Sequence, residues 1–232
     1  MDPAQTTSSN SLLDGLRQKI SATQAPPELK ENVLDMIARL DRLSSQGFFS
    51  EEYEKLSHYI TWVAKVPWSQ RVERPIDLAA VKATLDKNHY GMNDVKERIL
   101  EYMSVLKLRS TRNLGVARAP IICLVGLVGT GKTTFAYALS EALGRPIARI
   151  PFGGLGSAKD LRGESRLHLE AEPGYIVRAI CDAGVKNPII LLDEIDRVTE
   201  AARADIMGVL VELLDPSQNN RFLDHFIDYP VD

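Results

Sequence analysis

Gly126-Leu127-Val128-Gly129-Thr130-Gly131-Lys132-Thr133 fits the pattern GxxxxGK[ST]. Those residue types at that spacing suit one task. Glycines let the backbone curl until several N–H groups face inward, where phosphate oxygens can accept from them. A helix opening at Lys132 adds its partial positive end. Lys132 can reach the β- and γ-phosphates of a nucleotide. Thr133 can place its hydroxyl on Mg²⁺, and Thr134 follows in the same turn. Sixty residues after Thr133, Ile189-Ile190-Leu191-Leu192 runs into Asp193-Glu194. Four apolar residues make a buried strand, and two carboxylates emerge at its C-terminal tip, where open α/β sheets bind ligands. Asp193 would hold Mg²⁺ through water, and Glu194 would polarise the water that attacks the γ-phosphate. Alone, the acidic strand end is a weak pattern. Behind a phosphate loop it points to nucleoside triphosphate hydrolysis, with Glu194 and Lys132 as catalytic groups. A kinase would need an acceptor-binding signature, and the sequence has none.

These two motifs need a strand–loop–helix frame. Ile121 to Val125 reads as a short buried strand feeding the Gly-rich turn, and Lys132 to Leu143 as the helix, stopped by Gly144. Pro146 to Pro151 reads as a second strand and Ile189 to Leu192 as a third. Residues 152–174 read as a loop with at most a short helix; Tyr175 to Ala183 and Ala201 to Leu214 read as helices. Strands alternating with helices imply a parallel sheet covered on both faces. The chain before Pro120 has another rhythm. Leu12, Leu13, Leu16 and Ile20 mark one amphipathic helix, broken by Pro26-Pro27. Leu29, Val33, Met36, Ile37, Leu40 and Leu43 mark a second, with Pro27 in its first turn and Gly47 at its end. Tyr53, Leu56, Ile60 and Val63 mark a third, with Ser50 as its cap. Asp77 caps a short helix to Leu85, Asn88 to Gly91 forms a turn, and Val95 to about Lys107 is helical again. The expected organisation is an irregular tail at 1–10, a helical region at 11–70, a helical lead-in at 71–108, an exposed connector at 109–119, and an α/β core at 120–232.

Charge excludes one class of function. The 232 residues carry 28 Lys and Arg against 31 Asp and Glu, a formal charge of −3, so no polyanion-binding surface is indicated and nucleic acid is not an expected partner. No stretch approaches the ~18 apolar residues of a membrane span, and Met1 to Asn10 lacks a signal-peptide pattern. Cys123 and Cys181 lie in apolar contexts outside any CxxC or Cys/His pair, which reads as two buried free thiols in a reducing cytoplasm. The four histidines make no zinc spacing.

Several segments resemble the ATP-dependent Lon proteases, which are AAA+ machines. They are Tyr59-Ile60-Thr61-Trp62 with Val66-Pro67-Trp68, Leu85 to Gly91, Val95 to Tyr102, Lys186-Asn187-Pro188, Leu192 to Asp196, and Leu213 to Pro216 with Gln218-Asn219. The resemblance covers about residue 12 to 232. It implies an α/β P-loop NTPase fold of AAA+ type with an incomplete parallel sheet, preceded by an all-α region. It implies ATP and Mg²⁺ as cofactors, a homo-hexamer in the cytoplasm, and unfolded or damaged proteins as substrates, pulled through a pore toward a Ser-Lys peptidase. His89-Tyr90-Gly91 is similar to the segment flanking the adenine pocket. Arg162 to Arg166 leading to Pro173-Gly174 is similar to the pore loop, where the family carries an aromatic-aliphatic pair. Here His168 and Leu169 stand at those positions, so the gripping ring is smaller and titratable. The proline pair usual in the family's phosphate loop is replaced by Leu127-Val128.

The resemblance also implies that the γ-phosphate sensor, arginine finger, lid and peptidase follow Asp232. By analogy with the sheet order 5-1-4-3-2, strand 121–125 then lacks a partner on either side. Unpaired buried backbone groups cost about 1–3 kcal/mol each, so the nucleotide-binding half is expected to be poorly stable alone. Without the finger, isolated turnover is expected to be negligible. Two alternatives stand beside this reading: a non-hydrolysing nucleotide-binding module that assembles with longer copies, and an unrelated P-loop protein such as a helicase loader.

Overall fold

The computed structural model describes residues 3–44, 49–112, 121–168 and 170–231. It opens on three helices, α1 (Pro3–Ala22), α2 (Pro27–Ser44) and α3 (Phe49–Lys65), whose apolar stripes meet. Leu13, Leu16 and Ile20 of α1, Leu29, Val33, Ile37 and Leu40 of α2, and Tyr59, Ile60 and Val63 of α3 are all buried together. Each such side chain contributes about 1.5–3 kcal/mol by leaving water. The helix α1 begins at Pro3, so the irregular tail expected over 1–10 is corrected over 3–10. Helix α3 starts one residue before Ser50, which therefore lies inside the helix rather than capping it. Gly47 lies outside the described residues.

Helix α4 (Leu78–Asn88) is capped by Asp77, whose carboxylate accepts from the amides of Ala79 and Ala80. Helix α5 (Asn93–Thr111) runs past the expected end near Lys107, taking up the first residues of the connector; residues 113–119 of that connector lie outside the described residues. Helix α6 (Lys132–Leu143) packs on α4 and ends at Gly144, whose φ of 61° completes the stop. A core of Val81, Leu85, Ile99, Met103, Phe135 and Ala138 joins α4, α5 and α6.

The α/β part contains two parallel strands, β1 (Ile147–Pro151) and β2 (Ile189–Asp193), in register from Ile147 opposite Ile189 to Pro151 opposite Asp193. Ala148 and Ile150 point into a third core with Ile176 and Ala179 of α8 (Tyr175–Ala183) and Ile206, Val209 and Leu210 of α9 (Glu200–Leu214). The short α7 (Ala158–Arg162) lies against α8 and α9. A two-residue hairpin of β3 (Phe222–Leu223) and β4 (Pro230–Val231) follows, which the sequence reading did not anticipate.

The expected strand at 121–125 is not formed, and that expectation is corrected. Ile121, Ile122 and Val125 are 59%, 41% and 91% exposed, and the segment from Ile122 to Leu124 borders α5 across a cavity of about 330 Å³. A strand exists only through its hydrogen-bonded neighbours; among the described residues β1 and β2 pair with each other and neither pairs with this segment. Cys123 is accordingly exposed, and Cys181, on the later helix Tyr175–Ala183, is half-buried, against the expectation of two buried thiols. The sheet is also not covered on both faces, because Arg149 and Pro151 remain exposed opposite the buried pair. No helix among the described residues is long and apolar enough to cross a membrane.

Candidate functional site

The Gly-rich loop curls ahead of α6. Gly129 and Gly131 take φ of 82° and 87°, values that favour glycine. A Cβ at Gly129 would meet open space. Lys132 folds back over the loop, its Nζ donating to the carbonyl oxygens of Gly126 (2.8 Å) and Leu127 (2.7 Å). The Thr130 hydroxyl donates to Leu127 O at 2.8 Å, and the Thr134 hydroxyl to Gly131 O at 2.8 Å. Leu127 and Val128, which stand where the family has prolines, are 82% and 92% exposed.

The turn His89-Tyr90-Gly91 is brought to this loop. The His89 ring lies 5.2 Å from the Phe135 ring, tilted by 39°, and two of its atoms lie 3.9 Å from where a Cβ on Gly131 would stand. Tyr90 is fully exposed beside it, and the turn is completed by Gly91 and Met92 at positive φ. Lys96 pins the turn. Its side chain is buried, and Nζ donates to Asp86 Oδ1 (2.8 Å) and to His89 O (2.7 Å). The Lys96 hydrogen bond holds the Asp86 carboxyl below the usual carboxylate range.

The acidic strand end is the second half of the site. The Asp193 carbonyl accepts from Phe152 N at 2.8 Å. Its carboxylate is taken by Arg149 of β1, whose Nε donates to Oδ2 at 3.0 Å while Nη2 lies 2.8 Å from the same oxygen as an ion pair. Register explains the reach: Arg149 is opposite Leu191, so Asp193, two residues on, shares its face. Glu194 adopts the left-handed region at φ 58° and ψ 40°, rare for a residue with a side chain. This turns its carboxylate over Gly153, where a Cβ would come within 2.6 Å of Glu194 Oε2, and toward Arg197 Nη1 at 3.4 Å from Oε1. No hydrogen bond or ion pair among the described residues joins Thr133 to Asp193 or Lys132 to Glu194.

The loop between Arg162 and Tyr175 is closed by a neck. Gly163, at φ 76°, and Gly174 touch backbone to backbone. Asp224, fully buried, accepts from the amides of Gly174 (2.7 Å), Phe226 (2.9 Å) and Ile227 (3.0 Å). Burial pushes its carboxyl above the usual range, against the pull of those three amides. Helix α3 grips both limbs of the loop. His58 Nε2 lies 3.2 Å from Glu172 Oε1, Arg166 sits 4.8 Å over the Tyr59 ring, and Tyr59 donates to Ile227 O at 2.9 Å. His168 is exposed near the tip; Leu169 lies outside the described residues.

Motif reading missed Arg149, Arg197, Lys96 and Asp224. Arg149 is a cation inside an otherwise apolar strand, a signal that was present. Asp224 carries no sequence signal, since its partners are amides.

The donor set fits Mg²⁺. A hydroxyl and a carboxylate are hard oxygen ligands, and among the described residues no cluster of three or more His, Cys, Asp or Glu forms a separate metal cage. Residues 122–227 match the family described as ATPase family associated with various cellular activities (AAA). The chain is 44% identical over 220 residues to Lon protease 4 of Sorangium cellulosum, covering 95% of this chain and 26% of that protein. It is 38% identical over 229 residues to Lon protease of Chloroflexus aurantiacus (97% and 27%), and 36% identical over 227 residues to Lon protease 2 of Thermus thermophilus (95% and 28%). The chain thus spans about a quarter of the length of the curated relatives it matches. With the phosphate loop heading a helix and the acidic pair ending a strand, it carries an AAA ATPase domain homologous to the ATPase regions of Lon proteases.

Proposed function

We propose that this chain takes up ATP with Mg²⁺ at residues 126–134 and hydrolyses it with the help of Asp193 and Glu194, as the ATPase part of a Lon-like protease. The observation that carries the reading is the posture of Lys132. Its ammonium lies over a loop of two positive-φ glycines at the head of α6, held by two carbonyls that phosphate oxygens can replace. Thr133 and Asp193 would hold Mg²⁺, which when bound neutralises charge on the phosphates. Lys132 and the α6 amides stabilise the charge that builds on the β- and γ-phosphates. Glu194 accepts a hydrogen bond from the attacking water and draws its proton; its present partner, Arg197, is 61% exposed and so easily exchanged. His89, Tyr90 and Gly91 would border the adenine. In the whole protein, a cytoplasmic homo-hexamer, hydrolysis would drive unfolded or damaged proteins past His168 and Leu169 toward the peptidase.

Isothermal titration of the chain with ATP, with and without Mg²⁺, tests the reading. Binding that Lys132→Ala weakens by about tenfold or more is expected. Binding indifferent to Lys132→Ala, or no binding at all, refutes it.

A further inference from the structure

Asp193 has a resident cation that no nucleotide motif requires. Arg149 directs both Nε and Nη2 at Oδ2, and among the described residues Oδ1 accepts no side-chain hydrogen bond. The Asp193 side chain is 16% exposed while that of Arg149 is 47% exposed, so the carboxylate is largely shielded and the guanidinium reaches it from the solvent side. A guanidinium is a permanent positive charge in proteins. A divalent cation that approaches this carboxylate therefore meets a guanidinium already seated on it, and like charges that close repel.

We propose that Arg149 is a positioning residue that holds Asp193 in place and sets the Mg²⁺ concentration the nucleotide site requires. It acts as a counter-ion that orders the carboxylate before the metal arrives and opposes the metal until a triphosphate brings negative charge of its own. The inference rests on the reading that a Mg-nucleotide is taken up at residues 126–134. Two effects of removing Arg149 oppose each other. The Asp193 side chain loses its tether, which weakens a metal site, and the site loses a full positive charge, which strengthens it. A side chain with two torsions gives up little freedom when ordered, so the charge decides the sign.

The test titrates Mg²⁺ against uptake of a fluorescent ATP analogue by the full chain, for the parent, Arg149→Met and Arg149→Lys. The readout is the Mg²⁺ concentration at half-effect and the ratio of nucleotide affinities in Mg²⁺ and in EDTA. Arg149→Met is expected to need about tenfold less Mg²⁺, while Arg149→Lys, which keeps the charge, stays near the parent. Free Mn²⁺ followed by its EPR signal gives metal uptake directly and is expected to rank the three chains in the same order. An unchanged or higher Mg²⁺ requirement in Arg149→Met overturns the inference. So does a loss of affinity that is equal in Mg²⁺ and EDTA, since that is the mark of a merely structural residue. A parent that takes up no nucleotide in either buffer instead sinks the phosphate-loop reading on which the inference stands.

Discussion

Replacing Gly174 by Ala places a methyl group where the loop neck has none to spare. The glycine has φ −66° and ψ 163°, which any residue adopts, so the argument is purely steric. The new Cβ would overlap the carbonyl of Leu161 and stand 2.6 Å from Gly163 N, and all three neighbours are backbone, not flexible side-chain ends. Relief requires the neck to open. That breaks the 2.7 Å bond from Gly174 N to the buried Asp224, costing about 1–3 kcal/mol, and overpacking adds about 1–3 kcal/mol. Together about 2–6 kcal/mol is at stake, a shift of roughly 10 °C in unfolding temperature at the middle of that range for a chain this size. Gly208 is the matched control. It lies within α9, and a Cβ there would meet nothing within 4 Å, so Gly208→Ala is expected to stabilise by about 0.5–1 kcal/mol. Circular dichroism melts of the two variants should move in opposite directions. A Gly174→Ala midpoint within roughly 2 °C of the parent would show that the neck is not as tight as described.

Other outcomes follow from the same contacts. Tyr59→Phe removes the buried hydrogen bond to Ile227 O and is expected to cost about 1–2 kcal/mol in urea unfolding; a midpoint equal to the parent's would contradict that bond. Asp86 has a depressed folded pKa, so its contribution to stability is fully present above its unfolded value near ~3.9 and is lost as pH falls through the lower folded value. An Asp86→Asn chain should therefore lose part of the parent's decline in unfolding midpoint below about pH 4, and an identical acid limb in both would contradict the pairing with Lys96. Burial pushes the Cys181 thiol up to about 12, while Cys123 is exposed. At pH 8 a disulfide reagent should modify Cys123 rapidly and Cys181 only on unfolding, and two equally fast thiols would argue against the described burial.

Where residue type and local pattern decide the outcome, the sequence was readable. The glycines and Lys132, the apolar run ending in Asp193-Glu194, the Asp77 cap and the Gly144 stop all rest on neighbours within a few residues. Ile121 to Val125 has the same apolar character as β2, but pairing is a property of two segments, and no local pattern reports an absent neighbour. Helix over 3–10 escaped because polar residues of fair propensity extend a helix once α1 has begun, without adding to its apolar stripe. The Gly174–Asp224 and Tyr59–Ile227 hydrogen bonds join residues separated by 50 and 168 positions, and each has a backbone atom as one partner. Arg149 could have been suspected as a lone cation between Ala148 and Ile150, but its target depends on strand register, which only the paired sheet supplies.

The left-handed backbone at Glu194 separates two properties that usually mutate together. Asn enters that region with least strain and Gln differs from Glu only in its head group, so the carboxylate can be neutralised with the strand tip undisturbed. Val or Ile would instead collide with their own main chain and unseat the tip. A lineage that abandoned chemistry here could thus go silent by exchanging a single oxygen for nitrogen, keeping its outline and its place in any ring of subunits.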